Sequence, residues 1–190
     1  MPYKVQQKLH NTCQVEMIRN AEVSKITTVN FNHTSNGTYP NITNFYFELF
    51  KGPSKIPSNF AEYFPNLEAI LWVLAGLKTI SSDDLKPFPK VEILDFISNQ
   101  IEFLESDLFF HTPNLLEIDF KSNKLQFVAP DLINGLHNLV TANFRHNTCI
   151  DVFASVDEND AFISMEELTK LFASDCSDHT AATSGKATTD

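Results

Sequence analysis

Apolar residues return along this chain at a fixed spacing. Leu67, Ile70, Trp72 and Leu77 hold positions one, four, six and eleven of a short block. The same positions are filled by Val91, Leu94, Phe96 and Ile101, then by Leu115, Ile118, Phe120 and Leu125, and finally by Leu139, Ala142, Phe144 and Cys149. The blocks begin 24 residues apart, at 67, 91, 115 and 139. The register runs on through Ile80, Leu104, Val128 and Val152, and again through Leu85, Phe109 and Ile133. So many positions repeating in phase predict an array of similar units, each contributing one short strand from its alternating positions four to six. A weaker copy precedes them, with Ile42, Phe45, Phe47 and Phe50 at positions one, four, six and nine.

The ninth position is polar in three of the blocks, as Asn99, Asn123 and Asn147, and is Ala75 in the first. With these residues each block resembles the leucine-rich-repeat pattern LxxLxLxxNxL. The 24-residue length is similar to the typical subclass found in animal extracellular proteins, and the short array with its Cys149-Ile150-Asp151 ending resembles small secreted insect leucine-rich-repeat proteins. The resemblance covers about Cys13 to Cys176. It implies an α/β repeat, a leucine-rich-repeat solenoid shaped as a short horseshoe with a parallel concave sheet, an N-terminal β cap and a C-terminal helical cap. An LxL segment cannot fold alone, but stacked copies share one continuous core. The asparagines should turn inward and satisfy backbone groups of neighbouring turns, because the amide offers both donor and acceptor. Ala75 cannot, so its turn should be less regular or find other partners.

The expected organisation is an N-terminal cap with a polar loop over 1–41, about five repeats over 42–152, a C-terminal cap over 153–176 and a disordered tail over 177–190. In the first cap, Cys13 and Val15, then Val23, Ile26, Val29 and Phe31, read as two β-branched segments that could pair. In the last, Ser164 to Glu167 is a capping box that opens a helix with apolar Leu168, Leu171 and Phe172. A Cys149–Cys176 bridge would pin that helix on the last turn. Cys13 has no upstream partner, and is either a free thiol or paired between chains.

Composition narrows the function. Of 190 residues 17 are Phe, against 4 Tyr and 1 Trp, so the core should be rich in Phe. The net charge of −10 argues against nucleic acid and against a phosphate-rich membrane surface. The longest apolar run, Ala69 to Leu77, falls far short of a membrane span. Met1 to Gln7 has no apolar stretch of the kind a secretory signal needs, which taken alone points to the cytosol. The resemblance points outward instead, to a secreted protein whose natural signal peptide is absent from this chain.

No catalytic constellation appears: there is no G-x-S-x-G turn, no phosphate-binding glycine loop, and no His or Cys at metal-ligand spacing apart from His146 and Cys149, of which the Cys belongs to the cap. Val156 to Glu167 imitates a calcium loop, but Val156 and Ala161 stand where an oxygen ligand and a glycine are needed, so it reads as a polar loop entering a helix. No enzyme activity, cofactor or metal is expected. Three glycosylation sequons, at Asn32, Asn36 and Asn41, fall in the polar loop before the repeats.

The resemblance implies recognition of a protein or glycan-bearing macromolecule, in innate immunity or cell contact, by a secreted module. The alternatives are a fragment of a cell-surface receptor or adhesion ectodomain, and an intracellular adaptor on the same repeat. Because side chains alternate along a strand, the residues flanking the inward positions line the concave face. They are Tyr46, Leu71, Asp95, Asp119 and Asn143 in one row, and Glu48, Val73, Ile97, Lys121 and Arg145 in the other. The N-terminal half of this face, with Tyr46, Leu71, Val73, Leu74 and Ile97, is apolar beyond what the core requires. It is the expected contact surface, for a ligand or for a second copy pairing through the concave or N-terminal surface.

Overall fold

A computed structural model describes residues 12–16, 41–48, 54–57, 59–157 and 163–177. Its main sheet has seven strands: β1 (Thr12–Glu16), β2 (Asn44–Glu48), β3 (Ala69–Val73), β4 (Ile93–Asp95), β6 (Glu117–Asp119), β8 (Thr141–Asn143) and β9 (Phe153–Ser155), in that order. All neighbours are parallel except β8 and β9. Between the main strands lie the return limbs, which carry the helical turns α1 (Phe60–Tyr63) and α2 (Ser82–Leu85) and the two short parallel strands β5 (Phe103–Leu104) and β7 (Phe127–Val128). The result is a coil of chain in which each turn rests on the last, the parallel-sheet solenoid that the 24-residue period anticipates.

The strands form where they do because positions four and six are apolar and both point inward. Phe45 and Phe47, Ile70 and Trp72, Leu94 and Phe96, Ile118 and Phe120, and Ala142 and Phe144 are all buried. Position six builds a column of rings: Phe47 on Trp72 at 4.3 Å, Phe96 on Phe120 at 5.5 Å, Phe120 on Phe144 at 5.7 Å, and Phe144 against Phe172 at 5.0 Å. Trp72 takes the place of a Phe in this column. Its buried indole N–H has no partner among the described residues, an uncompensated desolvation of about 1–3 kcal/mol that a Phe would not carry.

The asparagine ladder is present. Asn99 Oδ1 accepts from the N–H groups of Ala75 (3.2 Å) and Leu77 (3.0 Å), while its Nδ2 donates to the carbonyls of Trp72 (2.6 Å) and Phe96 (2.8 Å). Asn123 accepts from Ile101 N–H and donates to Phe96 and Phe120; Asn147 accepts from Leu125 N–H and donates to Phe120 and Phe144. Each amide thus reaches back into the preceding turn. The turn at Ala75 stays regular, since the next turn's Asn99 serves its backbone.

One non-glycine residue in each of these turns is left-handed: Leu74, Ser98, Ser122 and His146, with φ of 54°, 58°, 58° and 60°; Gly76, at 78°, is a second in the first of them. That conformation costs a non-glycine residue roughly 1–2 kcal/mol. It turns the N–H toward the following turn, where Leu74 donates to the Ile97 carbonyl, Ser98 to Lys121 and Ser122 to Arg145. After the last repeat no such carbonyl follows, and the Asp151 carboxylate accepts from His146 N–H at 2.8 Å instead.

The two ends are closed differently. At the C-terminus the chain reverses into β9, whose antiparallel pairing covers the edge of β8. Helix α3 (Met165–Asp175) then lies on the last turn through buried Leu168 and Phe172, with Ser164 Oγ accepting from Glu167 N–H at 3.1 Å. The Cys149–Cys176 disulfide joins repeat to helix, with Cα atoms 5.2 Å apart. At the N-terminus β1 pairs parallel with β2, Cys13 opposite Phe45, and so extends the sheet by one strand. The segment Val23 to Phe31 lies outside the described residues, as does the tail beyond Ser177.

Candidate functional site

The alternation that buries positions four and six turns positions three, five and seven to the open face of the main sheet. Register pairing aligns Tyr46, Leu71, Asp95, Asp119 and Asn143 in one row, and β9 adds Phe153 opposite Asn143. A second row starts with Glu48 opposite Val73 and continues at the same repeat position through Ile97, Lys121 and Arg145. A third row, which the sequence reading passed over, runs Asn44, Ala69, Ile93, Glu117, Thr141 and Ser155. Its signal was available, because Ile93 lies two residues before Asp95 and shares its face.

The apolar half of this face is Leu71, Val73 and Ile97, all half-buried, with Leu74 at the strand end 40% exposed. Beside them Ile93 is only 3% exposed, although it belongs to the outer face. Register places these side chains on one face of adjoining strands. Toward the C-terminus the face becomes charged, and the Arg145 guanidinium lies 5.3 Å from the ring centre of Phe153, a cation–π contact.

The middle row is stitched by its own polar groups. Asp95, Asp119 and Asn143 each turn a side-chain oxygen back onto the N–H two residues later, at Ile97 (2.9 Å), Lys121 (2.8 Å) and Arg145 (3.2 Å). Asn143 Nδ2 also donates to Asp119 Oδ2 at 2.8 Å, across the strands. Asp95 and Asp119 are paired in register, two carboxyls side by side where the next pair along the row sets an amide against a carboxyl. Burial pushes the Asp95 carboxyl up to about 7; the Ile97 N–H opposes the rise and the neighbouring Asp119 charge adds to it. Asp119 is raised from the ordinary carboxylate range by burial too, but the N–H of Lys121, the Asn143 amide and the charges of Lys121 and Arg145 hold it back. Tyr46 is pushed to about 12, first by burial and then by its 2.5 Å bond to Glu48 and the charges of Glu48 and Asp95.

This arrangement has a pH signature. A carboxyl whose folded pKa is raised stabilises the fold below its unfolded pKa, and that contribution is lost as pH rises through the folded value. The window for Asp95 therefore runs from about 4 to about 7. Asn143 shows the remedy, since an amide in this row can donate to Asp119. Asp95→Asn is expected to raise the thermal midpoint at pH 8 and leave it nearly unchanged at pH 4. A gain of equal size at both pH values would mean that Asp95 titrates in the ordinary range.

Asn41 is exposed ahead of β2, and Asn32 and Asn36 fall outside the described residues. Cys149 and Cys176 are joined at the C-terminal end. Among the described residues no group of three or more His, Cys, Asp or Glu is placed to hold a metal ion, and no helix is long and apolar enough to cross a membrane.

Comparison with known proteins bears on the repeats. The family model for leucine rich repeats matches residues 89–148. The chain is similar in structure to the Drosophila Toll–Spatzle complex, with a TM-score of 0.52 and 21% identity over 56% of this chain and 14% of that one. It is also similar to Listeria monocytogenes InlP (TM-score 0.46, 25% identity, 58% of this chain and 29% of that one). The TLR13–ssRNA13 complex gives a TM-score of 0.48 and 19% identity over 57% of this chain and 18% of that one. In each case the chain spans less than a third of the neighbour's length. No curated protein matches it in sequence.

Proposed function

This chain is a leucine-rich-repeat protein, and from that premise we propose that it is a non-catalytic binding module which receives a protein or glycan-bearing partner on the open face of its main sheet. The observation that carries the reading is the apolar surface of Leu71, Val73, Leu74 and Ile97. The core is already filled by Ile70, Trp72, Leu94 and Phe96 beneath them, so the solenoid gains little from apolar groups above. Apolar area kept on an open face more often serves contact than folding. Tyr46, Asp95, Asp119, Lys121 and Arg145 frame it with polar groups that would set orientation.

A secreted or cell-surface setting, and with it a role in innate immunity or cell contact, is part of the same reading. The Cys149–Cys176 disulfide supports it, since such bonds persist in oxidising compartments and are rare in reducing ones. An exposed Asn41 within an N-x-T sequon is compatible with glycosylation there.

Two paired variants test the face. Val73→Thr with Ile97→Thr keeps β-branching and should cost no more than about 1 kcal/mol in a urea melt. Val73→Asp with Ile97→Asp places two more charges beside Asp95. A partner captured from extracellular fluid by the wild type should be lost by the Asp pair and weakened by the Thr pair. If sedimentation shows that the wild type self-associates and both pairs do not, the partner is a second copy. Equal capture by all three proteins would sink the reading.

A further inference from the structure

The open sheet is not the only place where apolar surface is exposed. Phe110, on the return limb of its turn, is 77% exposed, the highest value for a large apolar side chain among the described residues. The residues at its repeat position in the adjacent turns are Lys86 and Asn134, so the solenoid does not call for an aromatic ring there. Beside the ring lies a groove of about 210 Å³ whose apolar walls are Phe109, Pro113, Leu132 and Leu136. Its rim is acidic: Asp107 and Asp131 occupy the same position in successive turns and both line it. Ser82 Oγ donates to one Asp107 oxygen at 3.0 Å, but neither carboxylate has an ion-pair partner among the described residues. At Gly135 a Cβ would meet nothing within 4 Å, so the groove is open there.

We infer that this groove is a second interaction site, separate from the sheet, which takes an arginine side chain from a partner protein. The charge is complementary: a cationic head suits Asp107 and Asp131, while apolar walls suit the methylene stem beneath it. The Phe110 ring lines the same groove, meets His111 in a T-shaped contact at 5.0 Å and is 77% exposed, so π surface remains for the same cation. A planar guanidinium can stack on the ring and bridge carboxylates at once, which an ammonium cannot. A second copy of this chain is the poorer occupant. Symmetric pairing through this patch would set Asp107 and Asp131 against their own counterparts on a protein of net charge −10.

The experiment is an amide-shift NMR titration of the full chain with the blocked peptide Ac-Gly-Ala-Arg-Ala-Gly-NH2, and with the same peptide carrying citrulline, the neutral isostere of arginine. Saturable shifts are expected at Phe110, Asp131 and Gly135, with the citrulline peptide about tenfold weaker. Phe110→Ala, which removes only an exposed ring, should weaken arginine binding about fivefold, and Asp107→Asn with Asp131→Asn should remove it. Val73→Thr with Ile97→Thr should leave it unchanged, which separates this site from the sheet. Shifts spread over the acidic surface and insensitive to Phe110→Ala would overturn the proposal. So would equal binding of the citrulline peptide, absence of shifts at the groove, or self-association in sedimentation that Phe110→Ala abolishes.

Discussion

Asn99→Ala is expected to lower stability by about 3–6 kcal/mol, more than the loss of either other ladder asparagine. Asn99 is buried and holds groups of two turns: it accepts from Ala75 and Leu77 and donates to Trp72 and Phe96. Each buried backbone group left without a partner costs about 1–3 kcal/mol, and at least three would be orphaned together. Asn123 has a neighbour on each side to share the work, with Asn99 also donating to Phe96 and Asn147 also donating to Phe120. Asn99 has no such support upstream, because Ala75 stands where an asparagine would. A urea melt of Asn99→Ala and Asn123→Ala checks the order. A loss below about 1 kcal/mol for Asn99→Ala would show that water serves these backbone groups as well as the side chain does.

Phe120→Ala should cost about 3–5 kcal/mol, the range for removing a fully buried ring. Phe120 is wholly buried between Phe96 at 5.5 Å and Phe144 at 5.7 Å, with Phe109 at 6.4 Å. Beyond the lost burial, the cavity would interrupt the ring column that couples the middle turn to both neighbours. In a linear array stability is shared through such neighbour contacts, so weakening one interface should also loosen cooperativity. The m-value of the urea transition is expected to fall with the midpoint, and Phe120→Leu to recover most of both. A midpoint shift at constant m would show that the return limbs alone keep the turns coupled.

Much of the solenoid was legible because its rules are local and repeated. Inward Leu94 and Phe96 and the ladder role of Asn99 each follow from one position read against the 24-residue spacing, and the pairing of Cys149 with Cys176 from a Cys in the last repeat's Leu position and another at the end of the capping helix. What escaped the reading breaks the period. Strand β9 reverses direction after Val152, and nothing in Phe153-Ala154-Ser155 distinguishes an antiparallel edge from one more parallel strand. On the open face alternation located Leu71, Val73 and Ile97, but how far each is buried depends on its surroundings in three dimensions, which the period does not give. The side-chain turns of Asp95 and Asp119 were also missed, because an Asp in a strand reads as a solvated charge until its N–H partner is seen. The Phe110 groove lies in the return limbs, where only the third dimension brings Asp107 and Asp131 to one rim.

The direction of the asparagine ladder gives the molecule an order in time. Each amide reaches into the turn before it, so a turn's buried backbone is completed only by residues that leave the ribosome one repeat later. At about 5–20 residues per second, that is a wait of roughly 1–5 s for every repeat. Throughout elongation the newest turn is unfinished, and its exposed end is a ready partner for any other unfinished end nearby. The wait ends only when the reversal at β9 and the helix leading to Cys176 emerge, so these segments are the ones that close the array.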